Sequence, residues 1–384
     1  MPPTEAARAP GFGGIALAWY PHHVEHLAPW CAVLGMPIVL PEHPVLRHAV
    51  LAYPGLDAEW VPGVWQPNGI VPLAAAVRAR APRVVFYSEL FDRDTLRSLF
   101  GGGSAAPRVV YAPHGFSEKR QGWARGTAFQ DVAVLYGRHA LDQLEAFGVA
   151  DRLHRCVFSG NVRRGYYRAH ERHFRAQGES LGLARDGRTR TLLYAPTWDD
   201  AIGSSSFFAA FEAFAAAVPA GWRLVAKLHP HAERHAAAID RIEAAFRGRG
   251  VHVVRRCPLT YPLLDLADAY LGDMSSLAYD FLACGRPMFF TNPTSGTARD
   301  AAASRLFACG TVIPPHRYGD LWRIVEDAWD ADAERYGEAR AALDAYTHAP
   351  ERDAAALRID MTGACAGPAP AWMSATAGAP GDPA

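Results

Sequence analysis

Short apolar runs, each closed by a polar turn, recur along this chain and leave few folds open to it. Ile15–Trp19, Met36–Leu40, Val84–Ser88, Arg108–Ala112, Asp131–Tyr136 and Arg155–Phe158 read as strands in the first half. Thr191–Tyr194, Trp222–Lys227, Val251–Val254, Ala269–Leu271 and Met288–Thr291 do so in the second. Amphipathic helical stretches fall between many of them, at 92–100, 137–147, 206–217 and 232–246, and two more close the pattern at about 320–329 and 333–346. Strands alternating with helices predict parallel, doubly wound sheets. The 384 residues suit two domains of about 150–200 residues each. The expected architecture is α/β, with two Rossmann-like doubly wound domains facing across a cleft. A flexible leader covers 1–14, an N-terminal Rossmann-like domain 15–165, and a C-terminal Rossmann-like domain 166–346. The remainder, 347–384, reads as an extension and an Ala-, Pro- and Gly-rich disordered tail. Residues 41–80, rich in Pro and Trp, resist assignment.

Composition narrows the function. The 39 basic and 39 acidic side chains balance, which argues against a general nucleic-acid grip. The six cysteines form no CxxC pair and read as reduced core residues of a cytosolic protein, not as a zinc site or disulfide frame. No metal is expected. No apolar run approaches the roughly 20 residues that span a bilayer, and the N-terminus lacks the pattern of a signal peptide.

Ligands of open α/β sheets bind beyond the carboxyl ends of the strands. The polar motifs fall at those ends: Pro113-His114-Gly115, Gly160-Asn161-Val162-Arg163, Ala195-Pro196-Thr197, Lys227-Leu228-His229-Pro230 and Asp273-Met274-Ser275-Ser276. His114 sits where an imidazole can take a proton near neutral pH, and Lys119 can neutralise a phosphate. Taken alone, a histidine in a strand–turn is more often a satisfied core residue. Lys227 and His229 offer two donors that can hold a diphosphate. Ser275 and Ser276 open a short helix whose N-terminus attracts anions, though an ordinary serine cap is the plainer reading of those residues by themselves. Asp280, four residues past Ser276, can accept from a ribose or a base, or be a surface charge. His22, His23 and His26 follow the first strand. A metal there is the weaker reading; an acceptor-facing loop and a surface helix start with no role are the stronger ones. No G-x-G-x-x-G, Walker-type or G-x-S-x-G motif occurs in the required setting.

In order and spacing, five motifs resemble those of the CDP-glycerol glycerophosphotransferase family, the teichoic-acid primases and polymerases. They are His114-Gly115 with Lys119, Gly160 with Arg163, Tyr194-Ala195-Pro196-Thr197, Lys227-Leu228-His229-Pro230, and Asp273-Met274-Ser275-Ser276 with Asp280-Phe281 ahead of Arg286-Pro287. The resemblance spans about residues 110–291 and is loose over the first hundred. It implies a GT-B fold and transfer of glycerol phosphate, or a related polyol phosphate, from a CDP-linked donor to a polysaccharide or lipid-linked hydroxyl, with release of CMP. It implies that His114 is the base and that Lys119, Arg163, Thr197, Lys227, His229, Ser275, Ser276 and Asp280 lie on the donor side. No cofactor is implied beyond CDP-glycerol or another CDP-polyol as substrate. Work at the inner face of the cell membrane, with peripheral membrane contact, follows from the acceptor class. Two positions depart from the family: Asp199-Asp200 stand where an Arg is usual, and Met274 where Tyr is usual. They leave room for a different donor, for a nucleotide-sugar glycosyltransferase or epimerase, and for a non-catalytic nucleotide-binding scaffold.

Overall fold

A computed structural model describes residues 12–366 except 63–69, 90, 92, 102–105, 119–125, 128–129, 154, 199–202, 204, 256, 258 and 292–303. The chain divides into two compact units. The first comprises Met1–His114, Gln121–Tyr166 and His348–Ala384, and the second Gly115–Arg120 and Tyr167–Thr347.

In the first unit the strands are β1 (Gly14–Leu17), β2 (Ile38–Pro41), β3 (Ala58–Val61), β4 (Val84–Tyr87), β5 (Arg108–Tyr111), β6 (Val132–Leu135) and β7 (Cys156–Phe158). They form one sheet in the order β3-β2-β1-β4-β5-β6-β7, and every pairing is parallel. Strands β1 and β4 are buried along their whole length, as parallel strands covered by helices on both faces must be. Order reverses between them, with Leu17 level with Tyr87. That reversal is the crevice where open sheets bind ligands.

The second unit repeats the scheme with β8 (Arg190–Ala195), β9 (Trp222–Lys227), β10 (Val251–Val254), β11 (Ala269–Gly272), β12 (Met288–Thr291) and β13 (Thr311–Ile313), in the order β10-β9-β8-β11-β12-β13. Its reversal lies between β8 and β11, with Ala195 level with Gly272. Helix Phe207–Ala216 buries Phe207, Phe211 and Phe214 against Tyr194, Leu224 and Leu271.

Three stretches hold more order than their sequence suggests. Within 41–80 lie helix Pro44–Leu51, β3 and helix Ile70–Arg80. Strand β13 adds an edge to the second sheet. Helix Ala354–Cys365 counts with the first unit. Asp353 caps it by accepting from the Ala356 N–H at 2.7 Å. Arg155 beside β7 donates to the carbonyls of Gly363 at 3.1 Å and Ala364 at 2.7 Å near its end.

Two buried charges make measurable demands on stability. Arg340 and Asp332 are paired and almost wholly enclosed. The guanidinium also donates to the carbonyls of Asp332, at 3.0 Å, and of Arg286. Arg340→Ala leaves the carboxylate enclosed and unpaired, so denaturant titration should show a loss of about 3–5 kcal/mol. In the first unit Asp131 accepts from the Val109 N–H at 2.8 Å and lies 3.7 Å from Arg108. Burial outweighs both partners and lifts its carboxyl to about 6. The folded chain then holds that proton more tightly than the unfolded chain. Stability should decline by on the order of 3 kcal/mol as pH rises from about 4 through about 6, and Asp131→Asn should flatten that slope.

Candidate functional site

In the first unit the site is built around His114, three residues past the end of β5 and beside the order reversal. Its Nδ1 lies 2.5 Å from the carbonyl oxygen of Ser88, which follows β4. A carbonyl only accepts, so Nδ1 carries the hydrogen and Nε2 of the neutral ring keeps its lone pair. Tyr136 donates to the Pro113 carbonyl at 3.0 Å and steadies the same turn.

Helix Pro21–Leu34 follows β1 and brings three more imidazoles to this place. The ring centres of His22 and His26 lie 5.9 Å and 6.2 Å from that of His114. His23 is wholly buried, edge-on to Trp19 at 4.4 Å and 3.9 Å from the Glu89 carboxylate. Burial above all, and then neighbouring groups that include His114, hold His23 and His26 well below the usual imidazole range. Both rings are thereby held neutral, and His26 lies against His114. Arg163 is buried and paired with Glu25 at 3.6 Å, and it adds to the depression of His26. Its turn, Gly160–Arg163, is drawn to the C-terminal segment, where Asn161 Nδ2 meets His348 Nε2 at 3.4 Å.

In the second unit the reversal between β8 and β11 is tied by Asp273. Its buried carboxylate accepts from the backbone N–H of Thr197 at 2.8 Å and of Ser206 at 3.1 Å, and from the Thr291 hydroxyl. Burial raises its carboxyl above the ordinary range, and these bonds offset part of the rise. The loops after β8 and β11 and the last residue of β12 therefore share one anchor. Thr197 is buried within it.

Ser275 stands at the N-cap of helix Ser276–Leu282 with extended backbone, yet its side chain does not cap the helix. It pairs with the Tyr270 hydroxyl at 3.2 Å. Ser276 lies against Gly115, where an added Cβ would come within 2.4 Å of the serine Cβ. With φ at +117°, only glycine fits. Phe116 then meets Tyr279 edge-on at 5.1 Å, and Glu118 accepts from the Ser304 hydroxyl at 2.8 Å. Asp280 is buried and accepts from the Tyr261 hydroxyl at 3.1 Å.

Lys227 ends β9, and His229 follows as the residue before a 3-10 turn, Pro230–His235. Its Nδ1 accepts the His231 N–H at 3.2 Å. Lys119, Asp199 and Asp200 lie outside the described residues.

The structure thus gathers His22, His23, His26 and His114 in one unit, and Thr197, Ser275, Ser276 and Asp280 around one strand reversal in the other. Ser88 carries no signal in the sequence, because its contribution is a main-chain carbonyl. Asp273 was legible only as a motif letter, not as the anchor it is. Among the described residues no group of three His, Cys, Asp or Glu side chains is arranged to hold a metal ion, and no helix is long and apolar enough to cross a membrane.

No curated protein sequence matches the chain. Solved structures do. The wall teichoic acid polymerase TagF is 13% identical, with 92% of this chain and 88% of that chain aligned and a TM-score of 0.62. The S. aureus MnaA–UDP complex aligns over 91% of this chain and 94% of its own at 12% identity and a TM-score of 0.58. UDP-GlcNAc 2-epimerase from Neisseria meningitidis bound to UDP-GlcNAc aligns over 86% and 98% at 12% identity and a TM-score of 0.53. These likenesses show the GT-B fold. Residues 165–303 match the family described as CDP-Glycerol:Poly(glycerophosphate) glycerophosphotransferase; His114 precedes that stretch. Over that stretch the chain is similar to the CDP-glycerol glycerophosphotransferases.

Proposed function

We propose that the chain transfers glycerol phosphate, or a related polyol phosphate, from a CDP-linked donor to a hydroxyl of a cell-surface polysaccharide or lipid-linked acceptor, releasing CMP. The observation that carries this is the form of His114. The Ser88 carbonyl takes its Nδ1 hydrogen, so Nε2 is the basic nitrogen. The acceptor oxygen attacks the phosphorus that bears the polyol. The bond from that phosphorus to the bridging oxygen breaks, CMP departs with its electron pair, and Nε2 takes the hydroxyl proton for later release to solvent. His22, beside His114, belongs on the acceptor side in this reading, with His23 and His26 as its neutral backing. Lys227, His229, Thr197 and the Ser275–Ser276 helix start hold the donor's phosphates, where preorganised donors stabilise the charge that grows on the leaving group. Lys119 adds a cation to that group. Arg163 and Asp280 serve by holding their surroundings, since both are buried against partners.

A nucleotide-sugar enzyme is the second reading, favoured by the alignment over nearly the full length of the UDP-GlcNAc 2-epimerase. A thermal-shift panel separates the two, because a bound ligand stabilises by RT ln(1 + [L]/Kd). CDP-polyols should raise Tm, and UDP-sugars should not. The acceptor class also places the work at the inner face of a membrane, which a liposome flotation assay with anionic vesicles tests. For the chemistry, wild-type protein should release CMP from CDP-glycerol, and His114→Ala should lower kcat by about 10²–10⁴ with donor KM little changed. No turnover of any CDP-polyol by the wild type, or an undiminished rate in the variant, overturns the proposal.

A further inference from the structure

We infer that Tyr270 is a positioning residue for the donor: its phenol supplies a hydrogen that the Ser275 hydroxyl accepts, so that Ser275 turns its own single hydrogen to a phosphate oxygen. The inference rests on the transferase reading above. Tyr270 is wholly buried on β11, with Phe281 and Phe290 at ring-centre distances of 5.4 Å and 6.4 Å. Phenylalanine would suit those walls as well as tyrosine does. The phenol oxygen is therefore the part that needs a reason, because a hydroxyl taken from water costs free energy unless it is bonded. It lies 3.2 Å from Ser275 Oγ and 3.5 Å from the carbonyl oxygen of Ala195. Gly272 leaves the space it occupies: a Cβ there would stand 2.5 Å from the phenol oxygen and 2.7 Å from the same carbonyl oxygen. The phenol thus sits in the seam between β8 and β11, where the strand order reverses.

The hydrogens decide what the pair can do. A serine hydroxyl and a phenol carry one hydrogen each and also accept, whereas a carbonyl and an ionised phosphate oxygen only accept. In one arrangement Ser275 donates to Tyr270, and the phenol hydrogen goes to the Ala195 carbonyl. In the other the phenol donates to Ser275, and the serine hydrogen is released to an outside acceptor. A phosphate oxygen at Ser275 selects the second. The change needs two O–H rotations and no movement of heavier atoms, which suits a preorganised donor. A hydroxyl that accepts one bond also donates the next more strongly. Without the phenol, Ser275 would be drawn to the backbone N–H groups of its own helix, the usual bond of a serine at an N-cap, worth about 1 kcal/mol. Its side chain makes no such bond here. Burial above all holds the phenol above its ordinary range, and the bond to Ser275 offsets part of the rise, so the hydrogen stays in place near neutral pH.

Tyr270→Phe removes one oxygen and leaves the ring. Calorimetry of the full chain with CDP-glycerol reads donor affinity, and CMP release from CDP-glycerol reads KM and kcat. Tyr270→Phe should weaken donor binding and raise donor KM by about three- to tenfold, the loss expected for one hydrogen bond, with kcat changed less than KM. Ser275→Ala should do at least as much. The double variant should bind no more weakly than Ser275→Ala alone, because Tyr270 acts through Ser275. A purely structural role would instead carry over undiminished into the Ser275→Ala background. Ser275→Thr keeps a hydroxyl and should stay sensitive to Tyr270→Phe. Unchanged donor affinity in either single variant, or additive losses in the double one, overturns the inference and leaves the transferase reading standing wherever the wild type releases CMP. A wild type that binds CDP-glycerol without releasing CMP fails that reading, and the calorimetry still decides the inference. A wild type that does not bind CDP-glycerol overturns both.

Discussion

Asp273 is the constraint on which the second unit's ligand face depends. A carboxylate removed from water is costly unless its lone pairs are taken up. Here two main-chain N–H groups and a hydroxyl take them up, from the loop after β8, from the residue before helix Phe207–Ala216 and from the last residue of β12. Each such charge-assisted bond is worth roughly 1.5–3 kcal/mol. The carboxyl still stands above its ordinary range, so the enclosure remains a strain that the neighbouring loops relieve only by keeping their places. Rigidity at a strand reversal is what a phosphate-binding surface requires, because donors that must reorganise during the reaction contribute less to it.

Main-chain groups also decide what the two motif histidines can do. At His114 a carbonyl accepts the Nδ1 hydrogen and leaves the lone pair on Nε2. At His229 the Nδ1 lone pair accepts a main-chain N–H. The same ring nitrogen meets opposite backbone dipoles at the two places. The buried rings of His23 and His26 add uncharged groups on the helix that borders the first of them.

Much of this was legible before the fold was known, for identifiable reasons. Parallel strands buried on both faces write themselves as short apolar runs, so β1, β4, β8 and β11 could be read directly. Strand β13, three residues with Val312 exposed, lacks that signal. Helix Ala354–Cys365 was obscured because its Ala-rich sequence merges into a low-complexity tail. The polar motifs marked the strand ends, but letters do not reveal burial. Asp280 has the spacing of a ligand-facing carboxylate and is instead enclosed with Tyr261. Ser275 has the residue type and backbone of a cap and gives its hydroxyl to Tyr270. Ser88 acts through an atom every residue possesses, which no motif can encode.

The account's central claim is that a base-assisted hydroxyl attacks phosphorus directly, with no residue of the chain phosphorylated along the way. Stereochemistry at that phosphorus tests it most directly. Transfer from a CDP-glycerol made chiral by sulfur and heavy oxygen on the polyol-bearing phosphorus should give product of inverted configuration, as a single in-line displacement demands. Retention of configuration would mean two displacements through a phosphorylated side chain, and would contradict the role assigned to His114.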